Sequence, residues 1–277
     1  MDQIVIRDMQ GFSEYNDCMR LQREVWTFPD ADLVPASYLV VLHHYGGVSL
    51  GAFHQGEMVG FVVGFVGWRD GQIFHHSHML AVVPAYRGRR LGADLKWAQR
   101  ERVLAQGMSL VNWTFDPLQV LNANFNINLL GATAHKYMVD VYGASDSPLH
   151  GGLPTDRFEA EWWIASPRVV GLRHGRRVER DGWERLPRAN GTRDLETRFR
   201  RSEDEMRLEL EDEEVLVEVP GEVTPMMVVD RELALDWRMK TRRIFQAYFA
   251  RGYQVAGFHR SDGRYYYRLE ILPRDSA

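Results

Sequence analysis

The sequence predicts an α/β protein with a mixed β-sheet. Strand-like and helix-like patterns alternate along about the first 165 of the 277 residues, an arrangement that places helices against a sheet. Two strand-like runs flank a short polar turn at Gln55-Gly56-Glu57, which predicts an antiparallel hairpin within that sheet. A further helix and hairpin near the C-terminus predict an extension of the α/β domain.

The elements of the first part follow from apolar spacing and from breaking residues. Between Gly11 and Trp26 the apolar residues lie mostly three or four positions apart, which is typical of a helix. Pro29 and Pro35 end that pattern before a second helix begins. The predicted elements are, in order, a strand at Ile4 and Ile6, helices at 11–26 and 36–45, and strands at 48–54, 58–68 and 73–83.

The elements that follow are bounded by glycines. Gly107 and Gly131 each come directly after a helical pattern and act as stop signals. The predicted elements are a helix at 92–106, a strand at 109–115, a short helix at 122–130, and weaker strands at 139–142 and 160–165.

The composition changes at residue 168. The 47 residues from Arg168 to Glu214 contain 12 arginines and 13 acidic residues with few large apolar side chains, which indicates a solvated segment and not a core. Beyond it the patterns predict a strand at 215–219, a helix at 230–251 and a hairpin at 253–258 and 265–271. The predicted organisation is an α/β domain at 1–165, a charged helical or linker segment at 166–214, and a C-terminal α/β extension at 215–277 docked on the first domain.

Charge and composition exclude several classes of protein. The 34 basic and 38 acidic residues give a net charge of −4, which argues against a surface built to bind nucleic acid. No apolar run reaches the roughly 18–20 residues that span a bilayer, so we expect no membrane association. The single cysteine, Cys18, cannot form an internal disulfide, and the N-terminus lacks a signal-peptide pattern. We therefore expect a soluble cytoplasmic protein.

A loop rich in arginine and glycine joins the strand at 73–83 to the helix at 92–106. Backbone N–H groups and the positive end of the helix converge there, and Arg87, Arg89 and Arg90 add charge, so the segment predicts an anion site suited to a diphosphate. The loop has neither the Gly-Lys-Ser/Thr ending of a P-loop nor the Gly-x-Gly-x-x-Gly fingerprint of dinucleotide-binding folds. A plain helix start is the alternative.

The same segment resembles a known family. Leu80-x-Val82-x-Pro84-x-x-Arg87-Gly88-x-x-x-Gly92 resembles the acyl-CoA-binding motif of the GNAT superfamily of N-acyltransferases, and the order of predicted elements over residues 1–165 is that family's order. The resemblance implies an acyl-CoA co-substrate, such as acetyl-CoA, and no metal. Arg90 departs from the motif, because the family usually has glycine there.

The resemblance also implies positions for the co-substrate. The strand before the loop would pair with the pantetheine arm and the loop amides would hold the diphosphate, while one residue of an asparagine-rich helix would contact the co-substrate or cap the helix. The residues implied are Leu80, Ala81, Val82, Arg87, Gly88, Arg89, Arg90, Leu91, Gly92, Ala93 and Asn124.

His76 and His78 are the candidates for removing the proton of an acceptor amine. Two positions apart on a strand, they project from one face, and imidazole has a suitable pKa range. Their spacing is similar to that of the arylalkylamine N-acetyltransferases, in which paired histidines relay protons. Hydrogen bonding within the core is the alternative, and a zinc site is disfavoured. Asp116 is a further catalytic candidate, with a turn-forming role as its alternative.

Direct attack of an amine on the thioester is the expected mechanism. Cys18 lies on an apolar helical face, so we expect it in the core and not as a nucleophile. In the resembled family a tyrosine often protonates the leaving thiolate, and Ile127 occupies that position here. The long chain resembles a bacterial GNAT subgroup associated with amino-acid N-acylation, including N-succinylation. We expect acetyl or succinyl transfer from CoA to a small amine such as an amino acid. The alternatives are a protein or peptide acetyltransferase and a non-catalytic CoA-binding module, and the final hairpin allows a homodimer.

Overall fold

The computed structural model describes residues 3–143, 152–176 and 181–272 of the chain. Its helices are α1 (Gly11–Trp26), α2 (Ala36–His44), α3 (Leu91–Ala105), α4 (Val120–Ala123), α5 (Pro167–Arg173), α6 (Val223–Val229) and α7 (Arg231–Ala250). Its strands are β1 (Val5–Asp8), β2 (Val48–His54), β3 (Glu57–Arg69), β4 (Gln72–Val82), β5 (Leu110–Phe115), β6 (Thr133–Met138), β7 (Arg157–Trp163), β8 (Asn190–Asp194), β9 (Arg200–Met206), β10 (Glu214–Val219), β11 (Tyr253–Ser261) and β12 (Arg264–Ile271).

The chain divides into two compact units. Unit 1 comprises Met1–Trp113 together with Trp163–Ser166, and unit 2 comprises Thr114–Trp162 together with Pro167–Ala277. None of the helices in the part of the chain that the structure describes combines the length and hydropathy that a membrane span requires.

Unit 1 is built on a mixed sheet, which confirms the predicted fold class. Its strands lie in the order β1-β2-β3-β4-β5, with antiparallel pairing from β1 to β4 and parallel pairing between β4 and β5. Helices α1, α2 and α3 pack on these strands because each has an apolar face. In α1 the buried face includes Tyr15, Cys18 and Leu21, at the three-residue spacing that the sequence pattern predicts.

Strand β4 contains a β-bulge in its pairing with β3. Val63 lies opposite Met79 and Gly64 lies opposite Ser77, so His78 is the extra residue of β4 at this point. Gly64 is required here, because a Cβ at this position would overlap the imidazole of His75. The bulge therefore depends on a glycine of the neighbouring strand.

Unit 2 is built on an antiparallel sheet with α7 packed against it. Its strands lie in the order β7-β6-β11-β12-β10, and every described pairing among them is antiparallel. The Phe245 ring of α7 lies 4.7 Å from the ring centre of Phe158 and 5.4 Å from that of Tyr267. Rings in these edge-to-face arrangements make α7 an integral part of the core.

Outside the charged segment, the predicted elements agree with the structure except at three places. The strand predicted at 139–142 is wrong: the strand is Thr133–Met138, and the next residues form a turn. The short helix predicted at 122–130 is a single α-helical turn followed by a π-helix at Asn124–Leu129. Helix α6 was not predicted, since Pro225 falls inside it and its valines favour strands.

The charged segment contains regular structure. Helix α5 is followed by the antiparallel hairpin of β8 and β9, with Asn190 opposite Met206. Alternation along a strand exposes every second side chain, so a hairpin accommodates many charges without an amphipathic helix. Asn190 is buried and its amide binds the backbone of Glu218, which ties this hairpin to β10.

Two ion pairs anchor α7 to the rest of unit 2. The guanidinium of Arg238 donates to both carboxylate oxygens of Asp116 at 2.8 and 2.6 Å. One helical turn later, Arg242 donates to both carboxylate oxygens of Asp156 at 2.7 and 2.8 Å. Fork-to-fork pairs of this kind combine charge with fixed geometry. The Arg238 side chain is only 2% exposed, so its pair with Asp116 is largely removed from water.

Replacement of Arg238 by methionine should destabilise the protein by about 3–5 kcal/mol, because it leaves the Asp116 carboxylate without its counter-charge. Chemical denaturation followed by circular dichroism measures the free energy of unfolding. The matched control is Arg243→Met, which removes an exposed guanidinium from the same helix and should change stability by no more than about 0.5 kcal/mol. Addition of Asp116→Asn to Arg238→Met should restore part of the loss, and equal destabilisation by both arginine variants would contradict this account.

Candidate functional site

Strand β4 ends in a tight loop that leads into α3. The backbone N–H of Tyr86 donates to the carbonyl of Val83, and the N–H of Arg87 donates to that of Pro84, which forms a single 3-10 turn. Pro84 fixes the first φ angle of this turn, and Gly88 then adopts a φ of +74°. The sequence Pro84 to Gly88 thus reverses the chain within a few residues and directs it into the helix.

The N-terminus of α3 faces the loop without a side-chain cap. The first helical hydrogen bond joins the N–H of Asp94 to the carbonyl of Arg90, so the N–H groups of Leu91, Gly92 and Ala93 point out of the helix end. Arg90 has a φ of +65°, a left-handed conformation that explains why the resembled family usually has glycine here. Exposed amides together with the helix dipole make this end a suitable site for an anion.

The three loop arginines make different contacts. Arg87 donates through Nε to the carbonyl of Val82 at 3.0 Å, so it braces the end of β4. The Arg89 guanidinium lies 5.5 Å from the ring centre of Tyr86, whose hydroxyl is 2.6 Å from His54 Nδ1. Arg87, Arg89 and Arg90 are all exposed. Tyr86 and His54 therefore tie the loop to the end of β2, and the charged groups stay accessible to an anion.

The edge of β4 that faces β5 is paired over a short length. The register between the two strands joins His75 with Val111 and His76 with Asn112. Beyond these pairs β4 continues to Val82, so its last residues present a strand edge to an extended ligand. Leu80 and Val82 are partly exposed, whereas the Ala81 side chain is buried.

His76 and His78 lie together on one face of β4, as the sequence predicts. Their ring centres are 6.1 Å apart, and Phe65 of β3 contacts both rings at 5.1 and 5.9 Å. His76 Nδ1 is 2.8 Å from Asn112 Oδ1. An amide oxygen accepts, so Nδ1 carries the proton and Nε2 is the acceptor nitrogen of this ring.

His78 is exposed at the bulge, where it meets solvent more fully than His76. The part of the ring that packs against Phe65 is shielded from water, which lowers the pKa of His78 below its ordinary value of 6.5, and repulsion by His76 lowers it further. The ring is therefore neutral at physiological pH. A neutral imidazole is the form that accepts a proton.

Asp116 belongs to unit 2 and is held by Arg238. Burial acts to raise the pKa of Asp116, but the charge and hydrogen bonds of Arg238 outweigh it, so the pKa lies below its ordinary value. The backbone N–H of Leu118 also donates to this carboxylate. With both oxygens engaged, Asp116 is better suited to fix Arg238 than to take up a proton.

The remaining candidates of unit 2 lie near its π-helix. Asn124 is exposed and accepts a hydrogen bond from Asn128 at 3.0 Å. Ile127 is fully buried. The Tyr137 hydroxyl donates to Asp156 at 2.7 Å, and burial raises the pKa of Tyr137 well above its ordinary value. Neither Ile127 nor Tyr137 is suited to donate a proton to a leaving group.

The described residues contain neither a cluster of potential metal ligands nor an exposed cysteine thiol. In the described ranges no group of three or more His, Cys, Asp or Glu side chains is arranged to hold a metal ion. Cys18 is buried, its Sγ lies 3.4 Å from Met9 Sδ, and burial raises the pKa of its thiol. A thiol in this setting is a poor nucleophile.

Two contributors were missed by the sequence analysis. Asn112 lies in the middle of the buried strand β5, where an asparagine is unfavourable unless its amide is used. That exception was the signal that could have identified it as the partner of His76. His54 gave no comparable signal, because it reaches Tyr86 across 32 positions of the chain.

Comparison with known proteins agrees with this geometry. A family model described as Acetyltransferase (GNAT) family matches residues 12–124. No curated protein sequence matches the chain significantly.

Solved structures that resemble the chain are distant in sequence. The ribosomal-protein-S18-alanine N-acetyltransferase from Escherichia coli is 13% identical, with 59% of this chain and 96% of that chain covered and a TM-score of 0.48. A GNAT acetyltransferase from Streptococcus pneumoniae is 14% identical, with coverages of 57% and 98% and a TM-score of 0.47. Ard1 from Thermoplasma volcanium is 17% identical, with coverages of 57% and 95% and a TM-score of 0.45. The region that contains β4, the loop after it and the N-terminus of α3 thus matches the family model of the GNAT acetyltransferases.

Proposed function

We propose that the protein transfers an acyl group from acyl-CoA to the amino group of a small molecule, by direct attack of the amine on the thioester. The observation that carries this proposal is the continuity of β4. One strand bears a neutral histidine at a bulge and then leads directly to the uncapped N-terminus of α3. A proton acceptor and a diphosphate site are thus parts of one rigid element of a GNAT domain.

The loop and helix end bind the CoA diphosphate in this proposal. The N–H groups of Gly88 to Ala93 and the guanidinium groups of Arg87, Arg89 and Arg90 supply donors and positive charge. The pantetheine arm extends along the free edge of β4 at Leu80 to Val82, where backbone groups pair with its amides.

Proton removal falls to the histidine pair. An amine must lose its proton before it attacks the thioester, and neutral His78 accepts that proton directly or through water. His76, oriented by Asn112, is the second member of the relay. The amine nitrogen then bonds to the thioester carbon, and a backbone N–H near Val82 stabilises the oxyanion. Collapse breaks the carbon–sulfur bond and releases CoA as a thiolate, and the nitrogen gives its second proton to solvent to become the amide nitrogen.

The thiolate leaves without a proton from a tyrosine, because position 127 is isoleucine and Tyr137 is not suited to donate. Its conjugate thiol has a pKa of about 8.5, like that of cysteine, so the group departs readily near neutral pH. No covalent acyl-enzyme is required, in keeping with the buried thiol of Cys18. A reducing cytoplasmic setting suits a protein with this free cysteine.

The acceptor class rests on the organisation of the whole chain. A charged segment followed by a helix and a hairpin resembles the bacterial subgroup associated with amino-acid N-acylation, and the structure contains these elements as β8, β9, α7, β11 and β12. We therefore propose an amino acid as acceptor and an acetyl or succinyl group as the cargo.

A panel of amino acids incubated with labelled acetyl-CoA or succinyl-CoA should yield labelled N-acylamino acid, because the amine attacks the bound thioester directly. Chromatography of the free amino-acid fraction measures the product. Label found only on polypeptide would support a protein acetyltransferase, and tight CoA binding without transfer to any amine would support a non-catalytic module. Either result would contradict the proposed acceptor.

Replacement of His78 by glutamine should lower kcat by roughly 100-fold while the affinity for CoA stays the same, because a general base is lost and the loop is untouched. In the native protein, kcat/KM should fall at acidic pH below 6.5. His78 becomes protonated there, at its lowered pKa, and can then no longer accept the proton of the amine. Steady-state kinetics across pH measures both effects. Glutamine at His44, an exposed residue at the end of α2, is the control for loss of an imidazole elsewhere. An acid limb that persists unchanged in His78→Gln would remove His78 from the mechanism.

A further inference from the structure

A buried polar cluster joins β4 to helix α3 on the face opposite the histidine pair. Lys96 Nζ lies 2.8 Å from Ser77 Oγ and 3.0 Å from Gln99 Oε1, and the Ser77 hydroxyl donates to the same Gln99 oxygen at 2.9 Å. Gln99 Nε2 lies 3.1 Å from His75 Nε2. We call His75, Ser77, Lys96 and Gln99 the Lys96 cluster. All four side chains are buried.

A lysine in such a place is unusual and needs a physical reason. Lys96 is 2% exposed, and burial lowers the pKa of its amine well below the ordinary value. Its amine contacts Ser77 and Gln99 and lies 3.8 Å from the centre of the Trp113 ring. Burial of an amine costs desolvation free energy that an apolar side chain of the same length avoids, so the contacts of Lys96 have to offset this cost.

Lys96 sets the direction of every hydrogen bond in the cluster. Its amine donates to Ser77 Oγ and to Gln99 Oε1, so Gln99 turns its oxygen toward Lys96 and Ser77 and its NH₂ group toward His75. His75 Nε2 therefore accepts, and its proton is on Nδ1. Burial lowers the pKa of His75 to about 3, so this ring is neutral and keeps that tautomer. The result is a fixed anchor for two residues of β4, His75 and Ser77, one on each side of His76.

The cluster also connects β4 with β5. Lys96 binds Ser77 of β4 and lies against Trp113 of β5. One residue earlier in each strand, His76 of β4 binds Asn112 of β5 on the opposite face. The two contacts thus hold β4 and β5 together from both faces of the sheet. They lie where the pairing of the two strands ends, next to the pair His76 and Asn112.

We propose that Lys96 is a positioning residue for the acyl-transfer site, because its bridge between Ser77 and Trp113 sets the distance and orientation at which His76 meets Asn112. The inference rests on the proposed function for its catalytic consequence. It extends that function by assigning a role to a residue that contacts neither substrate. Loss of the bridge lets β4 and β5 move apart, and the His76 ring loses its fixed orientation.

Replacement of Lys96 by methionine tests this role kinetically. Methionine has similar length and removes only the amine, so the variant should be as stable as the native protein or more stable. Its kcat should fall by about 10-fold or more through misplacement of the histidine pair, with CoA affinity unchanged. Arg102→Met, which removes an exposed charge of α3 that pairs with Asp8, is the matched control and should keep native activity.

Replacement of Gln99 by glutamate tests the hydrogen-bond direction without a change in size. The carboxylate still accepts from Lys96 and Ser77 but cannot donate to His75, so His75 must protonate Nε2. Nitrogen-15 spectra of the imidazole rings report this tautomer directly. We expect His75 in the Nδ1–H form in the native protein, the Nε2–H form in Gln99→Glu, and altered His76 signals in both Gln99→Glu and Lys96→Met.

The two readouts separate failure of this inference from failure of the proposed function. A native protein that acylates no amine refutes the proposed function, and the imidazole spectra then decide the positioning role alone. Unchanged His76 signals in Lys96→Met overturn the inference whatever the kinetics. Altered His76 signals with a native kcat and pH profile overturn its catalytic consequence. If Lys96→Met does not fold, the same criteria apply to Gln99→Glu.

Discussion

The position of strand β4 is the constraint on which the rest of unit 1 depends. One face of the strand is fixed to α3 through a buried network of Lys96 and Gln99, and the other face carries the two histidines. Its end continues into the loop that exposes the amides of α3. Because a β-strand alternates its side chains, the residues that anchor the strand and the two histidines occupy adjacent positions on opposite faces. The bulge at His78, made possible by Gly64, exposes one histidine at the strand surface.

Unit 2 depends on two ion pairs between α7 and the residues next to its sheet. Its helix α7 carries two arginines one turn apart, and each is paired with a buried or partly buried aspartate. These pairs form where the carboxyl end of β5 and the start of β7 supply the acids. The bidentate geometry offsets the cost of removing four charges from water and fixes the orientation of α7 over its antiparallel sheet. Asp116, a catalytic candidate from the sequence, thus forms an ion pair with Arg238 in the structure.

Local signals in the sequence predicted most of unit 1. Apolar spacing located α1 and α3, the polar turn at Gln55 and Gly56 located the β2–β3 hairpin, and the arginine–glycine sequence located the connection between β4 and α3. Contacts between distant positions were not predictable, because Asn112 meets His76 across 36 residues and Arg238 meets Asp116 across 122. The β8–β9 hairpin was hidden for another reason: its charges mask the alternation that marks a strand.

The central claim is that the amides beyond Pro84 hold the diphosphate of coenzyme A. Titration calorimetry of the native protein with CoA, dephospho-CoA and pantetheine measures it most directly, since only the first two contain the diphosphate. The account predicts measurable heat and similar affinity for CoA and dephospho-CoA, with much weaker binding of pantetheine because it lacks the anion that the helix N-terminus favours. Equal affinity for all three compounds, or no heat with any of them, would contradict it.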